Sequence, residues 1–554
     1  RQIVWNSVPY TVESETMTRE LFETCLLLSK RLDKKYNKQT IAAKMTDVPG
    51  HTRSIIDPMY DAGIRLLHVG INSACPLPSV PTFCRWRSPS GNDLLLVYQK
   101  DYGEDEVLPD GKTVVSINFT GDNHGPHSYE RVKKIYADLR KRYPQAQLVG
   151  ASFNDVAREL LLIKKDLPVV TSEIGDTWIF GYGGAPIRMA KFRAVSRLYS
   201  QWLNEGKIKK DSDVALDFAA ELGLIAEHTQ GVDVKTHLRQ WDKYDMDKFL
   251  KGRSEGVFSM AEASWKEIDN YIDSAIAFLP ASLQKEAREV VAEVDKVKLE
   301  DNSKMKPMAR KRWEQPIAGG MTLAGLSYQM FDGDDYDDFQ NRYLRARYEW
   351  ALDDLGKRGL KESHAVSVTL YAQTMAQSVR KEKKGTRIIT ELRFPENEKV
   401  DKRVYPERIQ VNCFTTKNGK RSEVALTIYG KPAVRLPESY WLSFTVPGIE
   451  LVIAEKMGER VNLMDVVEKG NRQMHGIDRY VDLITSGETI RISSKEAFLL
   501  NVGEAQGLNY STNYPDKRKG VHFNLNNNLW GTNFSMWNEG SLTYHFVIET
   551  LSRK

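Results

Sequence analysis

Short apolar runs alternate with helical patterns over the first 190 residues. The run TIAAKMT (40–46) is apolar enough for a buried strand, and residues 13–36 have the period of an amphipathic helix. One face of that helix carries four apolar side chains, namely Leu21, Cys25, Leu28 and Leu32. Further strands are predicted at 2–8, 64–72, 93–103, 113–122, 146–153 and 167–175. Alternating strands and helices predict parallel strands with helical crossovers, and hence a complete or partial α/β barrel.

The pattern changes twice farther along the chain. From residue 187 to 305 the apolar period is helical, which predicts a helical bundle. From 306 to 554 apolar and polar residues alternate and are punctuated by Gly, Asn and Pro, as in EVALTIYGK (423–431), which predicts one or two antiparallel β-sandwiches. We therefore expect three parts: an α/β barrel domain at 1–186, a bundle at 187–305 and a sandwich region at 306–554. The start RQIVWNSVPY has neither an initiator Met nor a leader, so we expect the first domain to begin upstream of Arg1.

Composition narrows the function classes only a little. Charged residues are 28% of the 554, hydrophobic residues are 41%, and a net charge of +5 gives no reason to expect nucleic acid as a partner. No apolar run approaches the roughly 18 residues of a membrane span. The four cysteines form no Cys-x-x-Cys pair, which argues against a cysteine zinc site. Cys75 and Cys84 are close enough in sequence for a small disulfide loop, although free thiols are an equal alternative.

The first candidate for chemistry is DVPGHT (47–52), which follows the strand predicted at 40–46. Asp47 comes at the end of this strand, and His51 follows a Pro-Gly turn. Barrel enzymes place their chemistry at the carboxyl ends of their strands, so Asp47 is a candidate catalytic residue. The alternative is that Asp47 only caps the helix that begins near His51.

Three other segments also contain candidate catalytic, substrate-binding or metal-ligating residues. FTGDNHGPHS (119–128) places Asp122 and His124 in a glycine-containing turn after a predicted strand, where a turn or N-cap is the alternative reading. SEIGDTWIFGYGG (172–184) places Asp176 beside Trp178; a carboxylate and an indole suit a sugar, but a structural Trp is the alternative. Its glycines lack the Lys-Ser/Thr pair of a P-loop. IAEHTQGVD (225–233) offers His228 as a cap, a core residue or, together with Asp47, a metal ligand.

Together these segments resemble the α-mannosidases of glycoside hydrolase family 38, and more closely the DUF5054 branch of that superfamily. DVPGHT is similar to the family's Asp-Pro-Phe-Gly-His-Ser segment, with Val48-Pro49 in place of Pro-Phe. GDNHGPHS and EHTQGVD are similar to the segments that carry the acid/base residue and a zinc-binding His. The resemblance implies that Asp47 is both nucleophile and metal ligand, that Asp122 is the acid/base, and that His228 is a metal ligand. His51, His124, Asp176 and Trp178 are then expected to bind substrate.

The resemblance implies a metal-dependent retaining glycosidase that acts on α-linked sugars of poly- or oligosaccharides. The cofactor is expected to be Zn²⁺ or another divalent metal. The family's His-x-Asp on the opening strand is absent here, so two further ligands are expected upstream of Arg1. The alternatives are a metal-dependent carbohydrate deacetylase or esterase, and a non-catalytic carbohydrate-binding protein. A carbohydrate is the expected partner, the oligomeric state is left open, and a polysaccharide substrate favours an extracytoplasmic location over a cytoplasmic one.

Overall fold

A computed structural model of the chain describes residues 3–121, 124–238, 240–301, 303–531 and 533–551. The described chain contains short 3₁₀ helices, at Ser14–Thr16, Arg53–Ile55, Lys164–Asp166, Trp178–Gly184, Gly223–Ala226, Ala318–Gly320, Lys402–Val404 and Lys517–Lys519. Its α-helices and β-strands fall into a mixed α/β region, a helical region and a region rich in antiparallel sheet. This is the fold class that the sequence pattern predicts, and it is confirmed.

The N-terminal region is built on a five-stranded mixed sheet. Its strands and the adjoining hairpin are β1 (Ala42–Asp47), β2 (Leu66–Ile71), β3 (Phe83–Arg87), β4 (Asp93–Lys100), β5 (Asp105–Val107), β6 (Val114–Ser116) and β7 (Val169–Val170). The sheet order is β1-β2-β4-β3-β7, in which β1, β2 and β4 are parallel and β3 is antiparallel to β4. This linear order of the described strands is an open sheet, and its three parallel strands end along one edge.

The helices of this region are α1 (Arg19–Tyr36), α2 (Ile56–Asp61), α3 (Tyr129–Arg142) and α4 (Phe153–Leu162). Helices α2 and α4 pack on the sheet, α1 packs on α2, and α3 has no buried residue. The strand predicted at 146–153 is wrong, because Ser152 and Asp155 form a capping box that starts α4 at Phe153. Residues 3–8 form no strand either; the Asn6 side chain instead bonds to the backbone of Lys44 in β1.

The helical region packs against α1. It consists of α5 (Pro186–Asn204), α6 (Asp213–Leu222), α7 (Val234–His237), α8 (Met246–Ser254), α9 (Ser259–Ala277) and α10 (Ala281–Asp295). Helix α6 packs between α1 and α9, and α5 packs on α10. The helical stretch begins within a residue of the predicted boundary at 187, whereas the division of the chain into three domains stays a prediction.

Two large antiparallel sheets form the rest of the chain. Their strands are β8 (Lys306–Pro307), β9 (Gln315–Pro316), β10 (Thr322–Met330), β11 (Val368–Tyr371), β12 (Gln373–Lys381), β13 (Gly385–Arg393), β14 (Arg408–Thr416), β15 (Arg421–Lys431), β16 (Glu438–Thr445), β17 (Ile449–Lys456), β18 (Glu459–Asn462), β19 (Met474–Gly476), β20 (Tyr480–Thr485), β21 (Thr489–Ser494), β22 (Leu499–Val502), β23 (Val521–Asn527) and β24 (Gly540–Leu551). Helices α11 (Gly333–Tyr343) and α12 (Glu349–Asp354) interrupt them.

The two sheets pack on each other through aromatic side chains. One has the order β11-β10-β16-β23-β22-β19, with β9 beside β10, and the other has the order β18-β17-β20-β21-β24-β15-β14-β13-β12-β8. Phe444 and Phe523 of the first sheet meet Phe546 of the second, with ring centroids 5.1–5.7 Å apart. The predicted sandwich architecture is present in this region.

One buried ion cluster joins the sandwich region to the N-terminal region. The Nζ atom of Lys456, at the end of β17, lies 2.8 Å from Glu15 Oε1 and 3.2 Å from Glu173 Oε2. All three side chains are almost fully buried. A single ammonium group therefore ties together segments that are more than 280 residues apart in sequence.

Two further expectations concern thiols and membranes. All four cysteines are free and buried, so the reading as free thiols holds and the Cys75–Cys84 disulfide is not formed. Within the described ranges, the helices are too short or too polar for any of them to cross a bilayer.

Candidate active site

Asp47 lies where the three parallel strands end. It is the last residue of β1, and its φ of 74° places it in the left-handed region. Asn72 follows β2 and donates from Nδ2 to Asp47 Oδ1 over 3.1 Å, while Tyr102, just beyond β4, donates its hydroxyl to the same oxygen. Neighbouring parallel strands thus deliver three polar side chains to one point, as expected at the carboxyl edge of such a sheet.

His228 holds the second carboxylate oxygen of Asp47. Its Nε2 lies 3.0 Å from Asp47 Oδ2, and its Nδ1 lies 2.5 Å from Glu227 Oε1. Trp178 stacks on the imidazole with ring centroids 6.1 Å apart. The backbone places His228 here because its N–H donates to the carbonyl of Thr11, in the segment that runs along β1. Asp47 and His228 thus form the centre of the site.

Asp47 and His228 stabilise each other's charged forms. Burial by itself would raise the pKa of Asp47, but hydrogen bonds from His228, Tyr102 and Asn72 outweigh it and hold the pKa below its usual value. Burial would lower the pKa of His228, yet the two carboxylates of Asp47 and Glu227 raise it to about 10. The Asp47 and His228 side chains are 15% and 12% exposed, so both remain within reach of solvent. An ionised carboxylate is therefore available at the sheet edge.

The donor set is small for a tightly held zinc ion. Structural and catalytic zinc sites use three or four protein ligands, whereas Asp47 and His228 supply two. In the described part of the chain, His, Cys, Asp and Glu side chains form no group of three that could hold a metal. The residues present do not fit a resident zinc by themselves, and the two ligands expected upstream of Arg1 stay a prediction.

Asp47 does not cap the helix that follows it. The 3₁₀ helix after the Pro-Gly turn is capped by Thr52, whose side chain accepts from the N–H of Ser54. The side chain of Asp47 instead bonds to Asn72, Tyr102 and His228. Asp47 is thus positioned by the site and not by the start of the following helix.

His51 lies in the interior beside this site. It is buried, its Nδ1 is 3.5 Å from Ser14 Oγ, and its Nε2 has no hydrogen-bond partner among the described residues. Burial and the nearby positive charge of His228 lower its pKa to about 3, which keeps the ring neutral. The predicted contact between His51 and substrate stays a prediction.

Asp176 and Trp178 are buried as well. Asp176 is 2% exposed and accepts from the N–H groups of Trp178 and Ile179, so it caps the 3₁₀ helix Trp178–Gly184. It also bonds to Glu13, whose pKa is raised by burial and by the Asp176 charge. Trp178 donates from Nε1 to Cys75 Sγ over 3.2 Å. Both side chains lie in the interior behind the site. Trp178 contacts the site through its stacking on His228.

The glycines of segment 172–184 serve close packing. A Cβ atom on Gly175 would lie 2.1 Å from the carbonyl oxygen of Asn471, and one on Gly183 would lie 2.2 Å from Asn527 Nδ2. A Cβ atom on Gly181 would lie 2.4 Å from the ring of Phe534. This segment therefore packs closely against the sandwich region. Close packing explains its glycines, and no phosphate-binding role is needed to account for them.

We expect Gly175→Ala to lower the free energy of unfolding by about 1–3 kcal/mol, because the new methyl group meets backbone that cannot rotate away. Urea unfolding followed by tryptophan fluorescence measures the change. Gly487→Ala is the matched control, since a Cβ there has no neighbour within 4 Å. Equal stabilities of the two variants would contradict the packing argument.

The other predicted segment is only partly described. Asp122 lies outside the described residues, and His124 is exposed. Phe119, which precedes them in the chain, packs against Tyr102 in a tilted arrangement with ring centroids 5.1 Å apart. Phe119 therefore connects the predicted acid/base segment to Tyr102, whose hydroxyl donates to Asp47. The role of Asp122 stays a prediction.

Sequence reasoning missed Asn72, Tyr102, Glu227 and Glu13. A usable signal existed for the first two, because Asn72 ends the strand predicted at 64–72 and Tyr102 lies at the end of the strand predicted at 93–103. Glu227 is the neighbour of a singled-out His, and a carboxylate next to a histidine is a common way to orient its ring. Glu13 meets Asp176 across 163 positions, and no local pattern carries that contact.

The fold of the chain is similar to that of a solved α-mannosidase. A crystal structure of an α-mannosidase from Enterococcus faecalis V583 matches with a TM-score of 0.56 and 10% sequence identity, covering 98% of this chain and 78% of that one. A protein in glycosyl hydrolase family 38 from Enterococcus faecalis matches with a TM-score of 0.47 and 9% identity, covering 98% and 76%.

The more specific match lies in the helical region. Residues 183–315 match the family described as a domain of unknown function, DUF5054. Curated protein sequences give no match. The fold is thus α-mannosidase-like, and the segment from Gly183 to Gln315, which contains His228, carries the DUF5054 signature.

Proposed function

We propose that this chain is a retaining glycosidase that acts on α-linked sugars of poly- or oligosaccharides, with Asp47 as the nucleophile. The observation that carries the proposal is the ionised Asp47 carboxylate at the edge of three parallel strands, held by His228, Tyr102 and Asn72. The α-mannosidase-like fold supports it. Mannose is one candidate sugar among several, because a likeness at 10% identity carries the fold and not the specificity.

The proposed reaction has two steps. A carboxylate oxygen of Asp47 attacks the anomeric carbon while the bond to the leaving oxygen breaks, and that oxygen takes a proton from Asp122. Asp122 then removes a proton from water, which attacks the anomeric carbon and releases Asp47. His228 and Tyr102 hold the Asp47 carboxylate in one orientation throughout. Substrate contacts by His51, His124, Asp176 and Trp178 remain proposals; of these four, His124 is the exposed one.

The first experiment is a screen of purified protein with aryl α-glycosides, including the α-mannoside, and with the natural linkages of any sugar that is released. NMR of the first-formed product reports the anomer, which a retaining mechanism keeps in the α form. Release of the inverted anomer would overturn the proposed covalent step. Release of acetate from acetylated sugars, with no free sugar, would favour the deacetylase alternative.

The role of Asp122 is tested by the leaving group. We expect Asp122→Asn to slow hydrolysis of an alkyl α-glycoside by on the order of 10²–10⁴-fold, because an alkoxide needs a proton to depart. A dinitrophenyl glycoside, whose leaving group needs no proton, should be cleaved in the first step at nearly the normal rate. Equal losses on both substrates would remove Asp122 from the acid role.

The donor count predicts how a divalent metal behaves. With Asp47 and His228 as the ligands, zinc should be held loosely, and dialysis against EDTA should remove it. Elemental analysis before and after dialysis measures this. About one zinc per chain that survives the chelator would show that further ligands complete the site, as a His-x-Asp segment would.

A carbohydrate-binding protein without catalysis is the second candidate. The observation in its favour is the direct contact between Asp47 and His228, which occupies an oxygen of the carboxylate that would attack. Isothermal titration with the same glycosides distinguishes the two: binding with no turnover by the full chain would favour this candidate over the glycosidase.

A further inference from the structure

Two buried cations lie far from Asp47 along the chain, at the contact between the helical and sandwich regions. Arg435, just before β16, is 0% exposed, and Lys357, just after α12, is 6% exposed. Tyr244 links them: its ring lies 4.5 Å from the Arg435 guanidinium, and its hydroxyl donates over 2.9 Å to the carbonyl of Arg358, the residue after Lys357. We call these two residues the buried cation pair.

The partners of Arg435 account for only part of its guanidinium. Its Nη1 donates to the carbonyls of Gln240 and Lys243 over 2.7 and 3.0 Å. Tyr244 and Phe258 present their rings to it at 4.5 and 5.1 Å. Its Nε and Nη2 are buried with no hydrogen-bond partner in the described parts of the chain. Apart from a contact with the Tyr244 side chain, these donors of a buried cation are unused, which is costly without a ligand.

Lys357 is even less well satisfied. The contact made by its Nζ is with Met536 Sδ at 3.6 Å, and a thioether is a weak acceptor. Among the described residues, no carboxylate acts on the charge of Lys357, and the carboxylate that attracts Arg435, that of Asp242, is exposed to solvent. An ammonium group without an anion in this position is unfavourable.

The other buried lysines of the described structure, Lys431 and Lys456, are paired with carboxylates. Lys431 lies 2.6 Å from a carboxylate oxygen of Glu438. Lys456 has two carboxylates, Glu15 and Glu173. Among the lysines that the described structure buries, Lys357 therefore differs in having a second cation nearby where the others have an anion.

We propose that the buried cation pair is a binding site for a small inorganic anion, of the size and charge of chloride. Lys357 Nζ and the unused Nε and Nη2 of Arg435 are the donors. The walls are Tyr244, Phe258 and Met536, which are apolar and buried, so an ion that needs few donors and little space suits the position. The site would tie the strand region at Arg435 to the loop after α12.

Thermal unfolding of the full chain tests the site. The midpoint should rise with chloride in a saturable way, by on the order of 2 °C, relative to gluconate at the same ionic strength. Phosphate in a parallel series distinguishes a larger oxyanion from chloride. No difference between chloride and gluconate would overturn the proposal, as would stabilisation by phosphate alone.

A pair of variants locates the effect. Lys357→Met removes the charge in nearly the same volume and should abolish the chloride dependence, whereas Lys361→Met removes an exposed lysine four positions away and should retain it. Bromide soaked into crystals should give an anomalous peak beside Lys357 Nζ and Arg435. Retained chloride dependence in Lys357→Met, or the lack of that peak, would overturn the assignment and leave Lys357 as a neutral amine, since burial and Arg435 already lower its pKa to about 7.

Discussion

Replacing Asp47 by asparagine should lower kcat on an activated α-glycoside by at least about 10³-fold, since the nucleophile of the proposed reaction is then lost. The fold should survive the change. Asp47 has a φ of 74°, and asparagine tolerates the left-handed region better than most residues. An amide can also keep one hydrogen bond from Tyr102 or Asn72. Asparagine is therefore a better probe than alanine, which would add backbone strain to the chemical loss.

The control for this variant is Asp101→Asn. Asp101 also follows a strand of the same sheet and also has a positive φ, of 60°, but its carboxylate pairs with Arg345 and is 42% exposed. It should retain activity within a few-fold. Thermal midpoints of both variants show that the proteins are folded. An Asp47→Asn protein with normal turnover would rule out Asp47 as the nucleophile, and a similar loss in Asp101→Asn would mean that the sheet edge is merely sensitive to substitution.

Replacing Lys456 by methionine should cost about 3–5 kcal/mol of stability, because it leaves the Glu15 and Glu173 carboxyl groups buried without their cation. The loss should appear as a lower urea midpoint and a lower thermal midpoint. Other contacts of the cluster remain: Glu15 accepts from the N–H of Gly476, and Glu173 accepts from Thr52 and Arg53. Burial raises the pKa of Glu15 to about 7 even against the opposing charge of Lys456, so the ionised carboxylate becomes still less favourable once that ammonium group is removed.

A rescue variant separates charge from packing. Lys456→Met combined with Glu15→Gln and Glu173→Gln removes the whole cluster and should recover much of the stability, since a neutral buried set avoids the unpaired charges. Lys402→Met, which breaks an exposed pair with Glu396, should stay within about 0.5 kcal/mol of the parent. Stability of the triple variant no higher than that of Lys456→Met would mean that the lysine stem, and not its charge, matters.

The edge of the parallel sheet was predictable because it follows from local pattern. Apolar runs place β1, β2 and β4, and the polar residue at each strand end must lie beside its neighbours; Asp47, Asn72 and Tyr102 all obey this rule. His228 was singled out for its position at the end of an apolar helix, and the family resemblance paired it with Asp47. Their contact spans 181 positions.

Contacts between distant segments set the limit of the sequence reading. A carboxylate beside a tryptophan suits a sugar, yet the structure uses Asp176 to cap a 3₁₀ helix and to bond to Glu13. The glycines after Trp178 are explained by Asn471, Phe534 and Asn527, which no local pattern brings near. The strand predicted at 146–153 failed because a Ser-Asp capping box overrode a short apolar run.

The position of β24 has a consequence for synthesis of the protein. Residues 540–551 are the last strand described, yet they lie in the interior of the ten-stranded sheet, between β15 and β21. Until that strand leaves the ribosome, β15 and β21 each present an unpaired edge to whatever strand is nearest, including that of another nascent chain. A chain released from a ribosome that stalls before Gly540 should therefore be prone to aggregation. Chaperones should bind the growing chain most strongly until β24 fills the position between β15 and β21.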